Sequence, residues 1–228
     1  ASELRLSKGL PVAGGGGDAV IQTTGTGLVK PGIVGTTIGT AGIVAMALDS
    51  CKDNPEGTLQ VFCNNMPDKW HTMGVTLAAG GSLRWIRDTL CASEKEVARW
   101  MGVDVYELLG VEASKAEPGS EGLFFLPYLI GERCPHADPH ARGGFVGLTL
   151  RHNRRDILRS VFESVIYSLR DVVELIREMG YDLTQVRTSG GGALSPLWRQ
   201  IHADVFNSEV ITVSGSSEGG AYGAALVA

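Results

Sequence analysis

The last part of the chain places the tightest limits on the fold. Val186 to Ser189 reads as a strand that runs into Gly190-Gly191-Gly192 and then a helical stretch from about Ser195 to Phe206. Val210 to Val213 repeats the rhythm, leading through Ser214 to Ser217 into a second helical stretch from about Glu218. Strand, turn and helix in repetition bring successive strands side by side in the same direction. Earlier in the chain, Ile33 to Ile38 and Ile43 to Leu48 are β-rich runs joined only by Gly39-Thr40-Ala41-Gly42, a link short enough to require a hairpin. A chain with both features needs a mixed sheet. Leu59 to Cys63 adds a short strand. Leu10 to Ala13 reads as another, so that the early strands follow one another in antiparallel succession.

The clearest helix follows Asn153, which can cap it together with Asp156. Ile157, Val161, Val165, Leu169, Val172 and Ile176 recur at helical spacing until Gly180, and Leu158, Phe162, Ile166 and Val173 widen the stripe enough to bury the helix deeply. Gly74 to Leu90 is expected to be helical with an interruption at Gly80-Gly81, and Glu94 to Met101 to form another helix. Residues 110–122 read as a loop, Leu123 to Leu126 as a buried strand, and Pro127 to Gly144 as a long irregular loop.

Composition narrows the function. A net charge of −5 without any Lys/Arg run argues against a nucleic-acid binder. No apolar run approaches the ~18 residues of a membrane span, and no secretory signal opens the chain. Cys51, Cys63, Cys91 and Cys134 lie far apart without a C-x-x-C pair, which suggests free thiols in a reducing cytoplasm. Cys134, His136 and His140 are close in sequence, but Pro135 and Pro139 extend that segment and disfavour a metal site, so no metal ligand is assigned. The chain lacks an initiator Met and ends within a helical run, from which a fragment of a longer protein is expected.

Chemistry is expected at three glycine-rich turns. Gly14-Gly15-Gly16-Gly17 precedes Asp18, a carboxylate expected where a strand opens into a loop, able there to take a proton from a hydroxyl or simply to form a turn. Gly39 and Gly42 flank Thr40, and Gly190, Gly191 and Gly192 lead to Ser195. Such turns offer unobstructed N–H groups for phosphates. No G-x-G-x-x-G opens a helix and no Walker pattern is present, so an oxidoreductase or P-loop fold is disfavoured. Trp85 and Trp198 read as packing residues. Glu132, Arg133 and Arg142 are equally consistent with a structural ion-pair network or with ligand contacts.

Longer patterns resolve the choice. Gly143-Gly144-Phe145-Val146-Gly147-Leu148, followed by Asp156-Ile157 and Ser160-Val161-Phe162-Glu163, resembles the second signature of the FGGY carbohydrate kinases. Gly131-Glu132-Arg133, Pro135-His136 and Asp138-Pro139 to Gly143 are similar to the xylulokinase-like subgroup. Met73-Gly74-Val75, Ser82-Leu83-Arg84-Trp85, Ser189 to Trp198 and Glu218 to Ala225 agree as well. The resemblance covers essentially all of residues 1–228 and implies the C-terminal domain of that family, of α/β class, with a ribonuclease-H-like (actin-like ATPase) fold and a mixed β-sheet flanked by helices.

It also implies a reaction: ATP and Mg2+ at the base of a cleft between two domains, with the sugar, best matched by D-xylulose, held between them. Gluconate, ribulose or glycerol stand as alternatives. On the same resemblance Asp18 is the general base that contacts the accepting hydroxyl, Gly39 and Thr40 meet the nucleotide phosphates, and Gly190, Gly191, Gly192 and Ser195 line the adenosine pocket. The chain's own N-terminal domain, with the D-x-G-T phosphate loop, is the implied partner, and a homodimer is left open. Ala19 and Val20 depart from the pattern, because the family usually has an amide side chain after the aspartate. A non-catalytic nucleotide-binding domain of the same fold is the competing reading.

Overall fold

Alternation along two neighbouring strands sets the layers. In β1 (Ile33–Ile38), Val34 and Ile38 enter the main core, whereas Ile33 belongs to a second cluster on the other face. In β2 (Gly42–Leu48), Val44, Met46 and Leu48 enter the main core and Ala45 the second cluster. Side chains alternate between faces of a strand, so apolar residues at consecutive positions mean that both faces are covered. The computed structural model describes residues 3, 5–54, 57–213 and 219–228. The expected Ser214 to Ser217 turn and the Glu218 helix start lie outside the described residues.

The remaining strands are β3 (Gln60–Cys63), β4 (Trp70–Thr76), β5 (Phe124–Leu126), β6 (Gly144–Val146), β7 (Gln185–Ser189) and β8 (Val210–Thr212). Six of them form one sheet in the order β3-β4-β2-β1-β7-β8, and β5 pairs with β6 separately. β1 runs parallel to β7 and β7 to β8, while β1–β2, β2–β4 and β3–β4 are antiparallel. The expected mixed sheet is therefore present.

Seven helices are described: α1 (Asp18–Gly25), α2 (Gly80–Leu90), α3 (Ala92–Met101), α4 (Val105–Ala113), α5 (Arg154–Glu178), α6 (Pro196–Phe206) and α7 (Gly219–Val227). Helix α5 is capped as its sequence predicts: Asn153 Oδ1 accepts from the Arg155 N–H and Asp156 Oδ2 from the Asn153 N–H, each at 2.8 Å. Gly180, with φ of 89°, follows its end. Phe162, Ile166, Leu169 and Val172 bury the helix against the sheet and α6. Within it Arg159 and Glu163 form a buried ion pair at 2.6 Å, and Glu163 also accepts from the Gly119 N–H and the Ser120 hydroxyl, both at 2.9 Å. Those bonds tie the segment after α4 to α5. Among the described residues, no helix is long and apolar enough to cross a membrane.

Three expectations need correction. Leu10 to Ala13 forms no strand: residues 10–17 are exposed, without regular structure, and Pro11 brings no backbone donor. Asp18 consequently opens a helix rather than ending a strand. That helix is short and carries Val20, Ile21, Thr23 and Thr24, poor helix formers, so tertiary contact decides it. A Cβ on Gly223 of α7 would lie 1.9 Å from the Ile21 carbonyl oxygen, and one on Gly25 would lie 2.2 Å from that of Gly219. The two helix backbones thus meet directly.

The expected helical run from Gly74 is instead the end of β4. Gly74 sits mid-strand because a Cβ there would come within 2.4 Å of Val172 on α5 and 2.8 Å of the Cys134 sulfur. Gly80-Gly81 begins α2 rather than interrupting it. The expected loop at residues 110–122 is shortened by α4, whose cap is Asp104 accepting from the Tyr106 N–H at 2.9 Å. The loop from Pro127 likewise gives way to β6 at Gly144.

Two buried histidines make stability depend on pH. Both ring nitrogens of His71 lack partners among the described residues, and His202 Nδ1 donates to the Trp198 carbonyl at 3.1 Å. Burial pushes each of them from the ordinary 6.5 down to about 4. Below 6.5 the unfolded chain takes up protons that the folded chain refuses, so their contribution is complete above that pH and is lost as pH falls toward 4. Each histidine should add a slope of about 1.4 kcal/mol per pH unit in that window. Urea unfolding followed through this range should show it, and His202→Phe should remove one proton's share. An unchanged slope in that variant would contradict the assignment.

Candidate active site

Three turns gather at one edge of the sheet because of strand direction. β1 and β7 are parallel and end together, with Thr37 opposite Ser189 and their hydroxyls 2.8 Å apart. β4 is antiparallel to β2, as β1 is, and Thr76 near its end lies opposite Gly42. The segments that follow these strand ends are Gly39 to Ala41, Leu77 to Gly81 and Gly190 to Gly192. Helix α1 lies across the second face of the sheet: Ala19 and Thr26 line a cavity of about 30 Å³ together with Thr37, Ile43 and Ser189 near that edge and with Ala45, His71 and Arg187 farther along the strands. Asp18, adjacent to Ala19, begins that helix. Its carboxylate is exposed, forms no ion pair among the described residues, and accepts from the Ala19 N–H at 2.8 Å. An acid in the first turn of a helix is favourably placed against the dipole.

The hairpin tip is braced from one side and open on the other. The Gly39 N–H donates to the Ala41 carbonyl at 3.0 Å, the Gly80 N–H to the Gly39 carbonyl at 2.9 Å, and the Gly81 N–H to the Thr40 carbonyl at 3.0 Å. A Cβ on Gly80 would lie 2.4 Å from the Gly39 carbonyl oxygen, which explains a glycine pair opening α2. These bonds spend carbonyls of the tip. Among the described residues the Thr40 and Ala41 N–H groups donate to nothing, and the Thr40 hydroxyl accepts only a long contact from Arg84 Nη2 at 3.4 Å. Two unspent donors beside a hydroxyl and a guanidinium suit an anion.

The second turn has a similar division of labour. Gly190 adopts φ of 78° and a Cβ there would sit 2.7 Å from the Ile38 carbonyl oxygen, while one on Gly192 would come within 2.5 Å of the Ile38 side chain. Both glycines are required by the fold. At Gly191 a Cβ would meet nothing within 4 Å, and at Gly39 only the Ala41 carbonyl oxygen at 3.7 Å. Protein packing gives no reason for glycine at those two positions, whereas close approach by a ligand does. Ser195 is the N-cap of α6, its hydroxyl accepting from the Trp198 N–H at 3.3 Å.

Other candidates fall into structural roles. Trp198 is 5% exposed, donates from Nε1 to the Phe162 carbonyl at 3.0 Å and packs on the Phe162 ring, as expected of a core residue. Trp85 is half-exposed and stacks on Phe125. Glu132, Arg133 and Arg142 form no ion pair with one another among the described residues, so the network alternative is dropped. Arg142 instead donates to the Pro139 and Ala141 carbonyls, and Glu132 accepts from backbone N–H groups. Burial raises the Glu132 carboxyl above its ordinary range, against the backbone N–H donors that lower it. Sequence reasoning gave no role to Gly80, Gly81 or Arg84. A Gly-Gly pair opening an amphipathic run was the available signal, since propensity alone disfavours it there.

Among the described residues no three His, Cys, Asp or Glu side chains converge as metal ligands. The donor set at this edge, backbone N–H groups, hydroxyl and guanidinium, fits phosphate rather than a divalent ion, so no step below runs through Mg2+. The two glycines can be separated by substitution. Gly192→Ala should cost about 1–3 kcal/mol by overpacking against Ile38, and Gly191→Ala should leave unfolding free energy unchanged within about 0.5 kcal/mol. Denaturant titration of both variants checks this, and equal losses would contradict the assignment.

Comparison with known proteins identifies the family and the fold. Residues 34–228 match the profile described as the FGGY family of carbohydrate kinases, C-terminal domain. Xylulose kinase of Staphylococcus epidermidis is 36% identical over 228 residues, and gluconokinase of Bacillus subtilis 37% identical over 229, each covering 100% of this chain and 44% of the relative. The chain therefore spans less than half the length of these relatives. Among solved structures, a "xyloylose kinase from Brucella ovis" superposes with a TM-score of 0.85 at 31% identity, over 99% of this chain and 44% of that one. Xylulose kinase from Rhodospirillum rubrum gives 0.82 at 31% identity, over 97% of this chain and 43% of that one. The fold is the actin-like ATPase fold with its mixed sheet flanked by helices, and the chain belongs to the FGGY family of carbohydrate kinases, as a C-terminal domain.

Proposed function

We propose that this chain is the C-terminal half of an ATP-dependent sugar kinase that closes against an N-terminal domain of the same protein, with D-xylulose as the accepting sugar and D-xylulose 5-phosphate as the product. The observation that carries the proposal is the shared sheet edge, where the Gly39–Ala41 tip keeps two N–H groups unspent, the neighbouring Gly190–Gly192 turn is open at Gly191, and Ala19 of α1 lies against the adjoining strand residues Thr37 and Ser189. In this reading Asp18 takes the proton of the sugar hydroxyl. The freed oxygen bonds to the γ-phosphorus in line while the bond to the β–γ bridging oxygen breaks and ADP leaves. Gly39, Thr40 and Ala41 hold phosphate oxygens; Gly190, Gly191, Gly192 and Ser195 border the adenosine. Positioning and charge neutralisation supply most of the rate in such transfers.

The names of the relatives support the sugar assignment: xylulose kinases recur among them. Gluconate is the second reading, favoured by the 37% identity to gluconokinase. Ala19 and Val20, standing where the family usually has an amide, bear directly on which hydroxyls are held. Mg2+ enters as a companion of ATP without an assigned ligand in this chain. Four free cysteines agree with a reducing, cytoplasmic setting.

The test needs the full-length protein. Asp18→Asn should lower phosphorylation by about 10²- to 10⁴-fold, the usual worth of a general base, with ADP affinity retained within about twofold. Gly191→Ala, harmless to the fold, should raise the KM for ATP. Phosphorylation at the normal rate by Asp18→Asn would refute the base assignment, and a panel of ketoses, polyols and gluconate would decide the sugar.

A further inference from the structure

The Gly131-Glu132-Arg133 stretch takes no part in the reaction proposed above, yet its carboxylate is 3% exposed and, unlike Glu163, has no cationic partner among the described residues. Oε1 accepts from the Leu77 N–H at 2.9 Å and from the Arg133 N–H at 2.7 Å, while Oε2 is buried without a partner among the described residues. Burying a carboxylate without a counter-ion is unfavourable, and a bare packing position would be better filled by an apolar side chain. What the carboxylate holds is therefore informative.

Leu77 directly follows β4, at the edge where the three turns gather. From it the chain passes through buried Ala78 and Ala79 to Gly80 and Gly81, whose N–H groups bind the Gly39 and Thr40 carbonyls at 2.9 and 3.0 Å. The segment from Leu77 to Gly81 is thus tied at one end to Glu132 and at the other to the hairpin tip. Glu132 is itself fixed by a two-way backbone pairing with Asp138, at 2.8 and 3.0 Å. A rigid loop, a carboxylate, a five-residue segment and the hairpin form one continuous mechanical path.

We propose that Glu132 is a positioning residue for the Gly39–Ala41 hairpin and, through it, for the phosphates of the bound nucleotide. The inference rests on the kinase reading but concerns only the nucleotide side of it. Removing the carboxylate frees the Leu77 end, lets the Gly80–Gly81 braces drift, and loosens the two open N–H groups of the tip.

The experiment uses full-length protein, with ADP titrated by calorimetry and with KM and kcat measured for ATP and sugar. Glu132→Ala should weaken ADP binding about tenfold and raise the KM for ATP in parallel, while the sugar KM stays within about twofold. Glu132→Gln keeps an oxygen acceptor for Leu77 and should restore wild-type ADP affinity. If Glu132→Ala does not fold, Glu132→Asp serves: its carboxylate stops a methylene short of Leu77 and should weaken ADP binding while keeping the charge. A folded Glu132→Ala or Glu132→Asp with unchanged ADP affinity overturns the inference, as does an equal loss of ADP and sugar affinity. Failure of the kinase reading looks different, because wild-type protein would then bind no ADP or Asp18→Asn would stay active.

Discussion

The parallel pairing of β1 with β7 sets Thr37 opposite Ser189 and makes both strands end at one line. The rest of the site depends on that register. Side chains alternate along a strand, so a slip of one residue would turn Val34 and Ile38 out of the main core and move the hairpin away from the Gly190 turn. Gly190 and Gly192 enforce the register locally, since each lies against Ile38 with no room for a Cβ. The glycines that the fold requires thus hold in place the glycines that it does not.

Asp18 is placed by a separate route, at the start of α1. Its helix is short, poor in helix propensity and seated partly over a small cavity, so its place comes from backbone contact with α7 at Gly25, Gly219 and Gly223. Helix α1 and the glycine turns therefore belong to one framework, the helix through its packing on α7 and the turns through the strands that they follow. Preorganised geometry of this kind is what in-line transfer needs from a protein.

Much of this was legible in the residues. Hairpin spacing, the strand-turn-helix rhythm and the cap at Asn153 each have a local cause, and the structure follows them. What escaped was decided by contacts between distant segments. Asp18–Gly25 is a helix because glycines of α7 accept it, and Gly74 lies in a strand because α5 crosses within reach of its missing Cβ. The false strand at Leu10 to Ala13 had the right composition and no neighbours to pair with. At the site, glycine turns were visible in sequence, but the brace from Gly80 and Gly81 and the anchor at Glu132 were not, because they are hydrogen bonds from backbone N–H groups to backbone carbonyls across 41 positions of chain and to a side-chain carboxylate across 55.

The central claim is that the sheet edge after β1 and β7 receives the nucleotide. Hydrogen–deuterium exchange of the full-length protein with and without ADP tests it most directly. Slowed exchange confined to peptides covering 38–42 and 189–195 is the predicted result. Protection elsewhere in this domain with none in those two peptides would contradict it.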